Sequence, residues 1–324
     1  MPTGVRGSTR GRRPQTEPDS DVERPVGVLK RRSVRWSPAA VVLTAALVAT
    51  GCSGGGAAPP SPSPTPPSIS HPAGATNLVL RVERGGGLVP IEFLASQAPS
   101  FSLFGNGVVV FQRPVGAGGG ADTGGVTRGV PWRTATLDEG RIQELLAFAL
   151  GPGGLGSARA TYPAVGVMDA PDTIFTIHAG AIDKVVVVNA LGLDPQVGAD
   201  AAARASFQRL ADRLFDFEAT TPISTAAFVP ALYRATLTDR DAPSAGTARP
   251  WPWPAIGPSD FTSAAADGSS GARLPHRTFS ASEVAVLGLT GIEGGIQGLA
   301  LVGPAPDTRT YALALRPLLP DEPA

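Results

Sequence analysis

The chain has 324 residues, with 27 Lys/Arg balanced by 27 Asp/Glu, 42% apolar side chains, 40 Gly, 33 Pro and one cysteine, Cys52. That balance excludes the basic footprint of a nucleic-acid binder, and a lone cysteine excludes a disulfide framework or a thiolate cluster.

At the N-terminus Lys30, Arg31, Arg32 and Arg35 precede an apolar run from Ala39 to Ala49. A membrane-spanning helix needs about 20 apolar residues, well beyond this run. A basic region, a short apolar run and small residues before a cut form a secretory signal. Ala49-Thr50-Gly51-Cys52 resembles the lipobox of bacterial lipoproteins, with Ala49 standing where Leu is commonest. The resemblance implies that the Cys52 thiol is acylated and becomes the first mature residue. The alternatives are a cut elsewhere that leaves Cys52 a free thiol, or an uncleaved anchor, which the run's length disfavours. Arg31-Arg32-Ser33-Val34 invites a twin-arginine reading, but Arg35 falls where a second apolar residue is expected, which favours general secretion. Residues 1–29 exceed what a basic region needs, and Val28 or Val34 is an alternative start. Residues 1–51 are therefore expected to be a signal peptide with a polar extension, leaving a protein lipid-anchored to the cell membrane on its extracytoplasmic face. They hold nine of the basic and four of the acidic side chains, so the mature chain keeps 18 and 23, a net −5.

Residues 52–76 follow as a lipid-anchored Gly/Ser/Pro tether, whose composition cannot bury a core. The strand 77–84, "NLVLRVER", opens the folded part. "FSLFGNGVVVFQ" (101–112) predicts a hairpin with a type I′ turn at Asn106-Gly107. A helix is expected over 136–154, with Thr136 and Glu139 as a capping box, Leu137, Ile142, Leu145, Leu146 and Ala149 at helical spacing, and Gly151-Pro152 as the stop. The order repeats in a second hairpin over 172–191, turning between His178 and Asp183, and a second helix over 201–219 with Phe207, Leu210, Leu214 and Phe217 on one side.

Beyond residue 220, "ALYRATLTDR" (231–240) and "TYALALRPLL" (310–319) read as strands, and 280–289 as a short helix capped by Ser280 and Glu283. The expected fold is α+β: mainly antiparallel sheet with two principal helices packed on one face over 77–220. Residues 221–324 add a smaller C-terminal α+β lobe or an extension of the first sheet.

The segments "LVLRVERGGG", "FSLFGNGVVVF", "YPAVGVMDAPDTIFTIHAG" and "ALRPLLPDE" resemble a group of uncharacterised secreted lipoproteins of high-GC, chiefly actinobacterial, bacteria. Tyr162 and Asp169-Ala170-Pro171 ahead of the second hairpin are also similar to a bacterial domain of unknown function. The resemblance covers roughly 77–219 and the "RPLLPDE" tail. It implies the fold and the envelope address, and carries no catalytic residues.

Several constellations mimic chemistry. Gly116, Gly118 and Ala121 follow the spacing of a dinucleotide loop, but Val130-Pro131 follows instead of the helix that would meet a pyrophosphate. Asp122-Thr123-Gly124 matches the aspartic-protease tripeptide without a second copy to share the proton. His178 lies in a predicted hairpin, His71 in the tether and His276 in a loop, without G-x-S-x-G or a zinc-ligand spacing, so no metal or cofactor is expected. Asp169, Asp172 and Asp183, and likewise Asp239-Arg240-Asp241, read as turn residues rather than a calcium loop. "RPWPWP" (249–254) is the candidate binding surface: Trp251 and Trp253, stiffened by prolines, offer faces to a sugar or a Pro-rich peptide. The competing arrangement is a strap with its rings turned onto a sheet.

The expected function is a non-catalytic envelope module that binds or supports an extracytoplasmic protein or cell-wall glycan. The alternative is an envelope hydrolase with a dispersed acid/His site.

Overall fold

The computed structural model describes residues 68–89, 91–113, 125–164, 166–193, 198–240, 248–262, 274–307 and 309–323. The expected signal segment 1–51, Cys52, tether residues 53–67, the glycine stretch with Gly116, Gly118, Ala121 and Asp122-Thr123-Gly124, and Asp241 lie outside the described residues.

Alternating apolar residues make β1 (Leu78–Gly86), which buries Leu80 and Val82 on one face and turns Arg81 and Glu83 to the other. After the short α1 (Ile91–Ser96), β2 (Phe101–Phe104) and β3 (Val108–Gln112) form the expected hairpin. Its turn is not type I′, because only Gly107 has positive φ (81°). The Gly107 N–H donates to Phe104 O at 2.9 Å, giving a three-residue loop that ends in a glycine bulge.

β4 (Val126–Arg128) and β5 (Trp132–Thr136) lead into α2 (Glu139–Leu150). The expected cap is corrected here: Thr136 is the last residue of β5, paired with Val108, and Asp138 caps the helix. The Asp138 Oδ1 accepts from the Arg141 N–H at 2.9 Å. β6 (Thr161–Tyr162), β7 (Pro171–Ala179) and β8 (Ile182–Asn189) follow, with Gly180 at positive φ in a two-residue turn. The second helix divides into α3 (Ala201–Phe215) and the single turn α4 (Phe217–Thr220).

With β9 (Ala226–Ala227) these strands form one sheet in the order β6-β8-β7-β1-β2-β3-β5-β9. Its neighbours are antiparallel except β6 and β8. One face carries Leu80, Phe101, Phe111, Phe175 and Ile177, buried beneath Ile142, Leu146, Phe207 and Leu210 of α2 and α3. Phe217 closes the seam, its ring 5.0 Å from Phe101 and 5.2 Å from Phe111.

The C-terminal lobe has its own sheet. β10 (Leu232–Arg240), β11 (Arg249–Pro250), β12 (His276–Ser280), β13 (Ile296–Val302) and β14 (Thr310–Pro317) run in the order β11-β13-β14-β10-β12. The expected helix is α5 (Ala281–Ala285), with Ser280 and Glu283 forming the capping box. The lobe is therefore not an extension of the first sheet, and residue 221 is not a clean boundary. β4 hydrogen-bonds β13, and α1 packs on β13 and β14. The tail returns to the first sheet, where Leu319 joins Phe104, Val110 and Trp132.

The tether also ends earlier than expected. Residues 68–76 lie across the ends of both hairpins as a docked strap. Ile69 packs against the helix-covered core, and its N–H and C=O pair with the Gln143 side chain at 2.7 and 2.8 Å. The Gly180 N–H donates to Ser70 O at 2.6 Å, and the Asn106 N–H to Gly74 O at 3.1 Å. Glycine at 105 is what lets the strap approach, since a Cβ there would stand 2.3 Å from Pro72 O.

Candidate functional site

The end of β5, the first turn of α2 and the segment 222–226 enclose an open groove of about 670 Å³, within the size range of small-ligand sites. Each wall has a local cause. β5 presents Thr134 and Thr136 as alternate residues of one strand face. Asp138 is fixed by its capping bond, with Oδ2 3.9 Å from the Arg141 Nε. Arg141 reaches across, its Nη1 donating to Pro222 O at 2.9 Å, and so ties the far wall to the helix.

That wall is braced from below. Arg133 donates to both Thr225 O (2.9 Å) and Thr225 Oγ1 (2.6 Å). The Thr225 hydroxyl donates to Glu218 at 2.6 Å. Glu218 also accepts both prongs of Arg113, at 2.5 and 2.7 Å. The Arg113 bonds foremost, and then that of Thr225, pull the Glu218 carboxyl down to about 2. The groove is lined by Thr136 and Ser224 beside one carboxylate and one guanidinium, and by Thr134 and Thr225, whose hydroxyls already donate to Val109 O and Glu218. Donors and acceptors at fixed positions with no net charge suit a neutral ligand rich in hydroxyl groups.

Trp251 and Trp253 do not form a displayed platform. Trp253 is 4% exposed and stacks on Phe279 at 4.8 Å, and its indole N–H donates to Glu283 O at 2.9 Å. Trp251 meets Trp253, Phe261 and Tyr311 edge-on, and its indole N–H donates to Ile256 O at 2.5 Å. Alternating prolines hold the chain extended while the rings fill the second sheet's core, as in the strap arrangement.

The acid/His set is dispersed. His178 Nδ1 stands 3.0 Å from Asp183 Oδ1 beside the hairpin turn. Asp172 is paired with Asn189 at the other end of β7, its Oδ1 accepting from the Asn189 amide at 3.0 Å. Six residues of strand put His178 and Asp172 about 20 Å apart. Asp169 sits in a turn at φ 55°, His276 bridges to Thr262 in the second sheet, and Asp239 pairs with Arg309 at 3.2 Å. Among the described residues no group of three or more His, Cys, Asp or Glu could hold a metal ion.

A second polar cluster, where the tail meets β1, was invisible in the sequence. Glu322 accepts both prongs of Arg316 (2.5 and 2.8 Å) and the Leu319 N–H (2.8 Å), while Arg81 donates to Asp321 at 2.7 Å. Burial pushes the Glu322 carboxyl up, but Arg316 and the Leu319 N–H together hold it below the usual range. Glu83 nearby goes the other way: burial raises it, and Arg81 only partly offsets that.

Comparison of the chain with protein-family models, with curated proteins and with solved structures finds no match in any of the three.

Proposed function

We propose that this protein is a lipid-anchored envelope module, attached through Cys52 on the extracytoplasmic face, that binds cell-wall glycan without transforming it. The observation that carries the proposal is the groove: four hydroxyl-bearing residues and a braced Asp138–Arg141 pair around about 670 Å³. Bound sugar hydroxyls would exchange hydrogen bonds with Thr136, Ser224 and the Asp138–Arg141 pair, which the Arg141 N–H and Pro222 O already orient. The lipobox-like run supports the address, and the resemblance of the hairpin–helix segments to secreted lipoproteins supports it further.

The test is co-sedimentation with insoluble peptidoglycan. The wild-type chain should pellet with it. Arg141→Ala removes one donor and frees the Pro222 wall, and should weaken binding about tenfold, as one hydrogen bond to a charged group implies. Equal binding by Arg141→Ala and wild type, or no binding by either, contradicts the proposal. Palmitate labelling checks the anchor: wild type should incorporate it and Cys52→Ala should not.

A further inference from the structure

The groove opens where the hydrogen-bond ladder of the first sheet stops. The Phe228 N–H donates to Trp132 O at 2.9 Å and Thr134 pairs with Ala226, so the even residues of β5 turn their backbone groups toward β9. On the opposite edge the Leu137 N–H donates to Gly107 O at 2.8 Å, in the register that pairs Ala135 with Val109. The odd residues therefore serve β3, as the alternation of an antiparallel strand requires. Thr136 is the next even residue, and its N–H and C=O face the groove. Continued register would oppose it to Ser224, but β9 pairs only at Ala226 and Ala227. Among the described residues the Thr136 N–H and C=O meet no partner.

The surroundings limit what fits this rung. On one side the rungs to Ala226 and Phe228 are closed, and on the other Asp138 already caps α2. An extended peptide, advancing about 3.3 Å per residue, pairs through successive rungs, and here only one is open. A single flat amide suits it better. The N–H and C=O of a trans amide lie on opposite edges, so one edge meets β5 and the other the far wall. On that wall Ser224 is exposed, and Ile223 is partly buried against the helix-covered core, which gives a methyl group an apolar rest.

We propose that the groove recognises the acetamido group of an N-acetylated sugar. The Thr136 N–H donates to the acetamido carbonyl, the acetamido N–H donates to the Ser224 hydroxyl, and the methyl packs on Ile223. The Thr136 C=O accepts from a neighbouring ring hydroxyl. This rests on the glycan-binding reading and narrows it to N-acetylated glycan.

The test compares two neutral trimers on the full chain by calorimetry: β-1,4-linked N-acetylglucosamine, and cellotriose, which carries a hydroxyl in place of each acetamido group. The acetylated trimer should bind about ten- to thirtyfold more tightly, as one added hydrogen bond and one buried methyl imply. Ile223→Ala should narrow that ratio about fourfold and Ser224→Ala about fivefold. Ser224 is exposed, so its variant keeps the test open if Ile223→Ala does not fold. Hydrogen exchange checks the rung itself: in the free chain the Thr136 amide should exchange faster than those of Ala135 and Leu137, and the acetylated trimer should slow it. Equal affinity for the two trimers overturns the acetamido assignment and leaves glycan binding standing. Binding of neither trimer by a chain that still pellets with peptidoglycan does the same, whereas failure to pellet removes the underlying reading as well. Tri-alanine binding as tightly as the acetylated trimer overturns the assignment in favour of a peptide. So does a ratio unchanged in both variants, or a Thr136 amide that is protected in the free chain or unaffected by the trimer.

Discussion

Two proline-bearing segments dock as straps and are held in different ways. The strap at 249–254 docks through large rings: Trp253 is buried on Phe279, and both indole N–H groups are satisfied by backbone carbonyls. The strap at 68–76 docks through one partly buried Ile69, backbone hydrogen bonds and a histidine. Proline lowers the entropy cost of docking in both by restricting the free chain, so the difference lies in what each buries. The first is part of a core, and the second lies at a core's edge with one apolar side chain and a set of hydrogen bonds.

Truncation should separate them most sharply. Trp253→Ala should cost about 3–5 kcal/mol, because it opens a ring-sized void and orphans the Glu283 carbonyl. Denaturant unfolding would show it as a lower midpoint, and unchanged stability would remove this strap from the core.

The tail 318–322, a third proline-bearing closure, asks how much ion pairing adds to the buried Leu318 and Leu319 in holding such a segment. Glu322→Gln should cost about 3 kcal/mol at pH 7, because the buried Arg316 loses its charged partner. Glu83→Gln should cost less than about 0.5 kcal/mol, since burial already opposes that charge. The pH dependence has opposite signs. Glu322, held low, stabilises above the ordinary Glu range near 4.3, and that contribution disappears as pH falls through its depressed value. Glu83, held high, favours the folded state as pH falls and it takes up a proton. Unfolding of the two variants at pH 4 and pH 7 would distinguish these signs.

Ile69→Ala should cost about 1–2 kcal/mol of global stability, as expected for a partly buried side chain. Amide exchange at Gly180 should rise further than the unfolding midpoint falls. Equal losses by both measures would make the strap at 68–76 as integral as the one at 249–254.

Much of the fold was legible because its signals are local. Leu80 and Val82 alternate with Arg81 and Glu83, and Phe207, Leu210 and Leu214 recur at helical spacing, so each segment declared its period. The errors were local as well. Thr136 and Asp138 are both capping residue types two positions apart, and the strand pairing of Thr136 with Val108 decided between them. Asn106-Gly107 suits a type I′ turn in isolation, but the register of β2 and β3 leaves a three-residue loop.

The candidate site was hidden for a different reason. Asp138 and Arg141 were visible only as residues of a helix start, and their far wall at Pro222 lies 81 residues on. Gln143 meets Ile69 across 74 residues, and Arg81 meets Asp321 across 240. None of these partners follows a period that points to the other.

The sequence by itself determined β1, the β2–β3 and β7–β8 hairpins, β10, β14, the helices α2, α3 and α5 and the lipobox-like run, since propensity, periodicity and composition act over a few residues. Only the tertiary structure decided that residues 68–76 and 249–254 dock as straps, where the tryptophans point, and which polar groups share a groove. Those outcomes depend on burial and on hydrogen bonds between segments far apart in the chain, which local residue patterns do not encode.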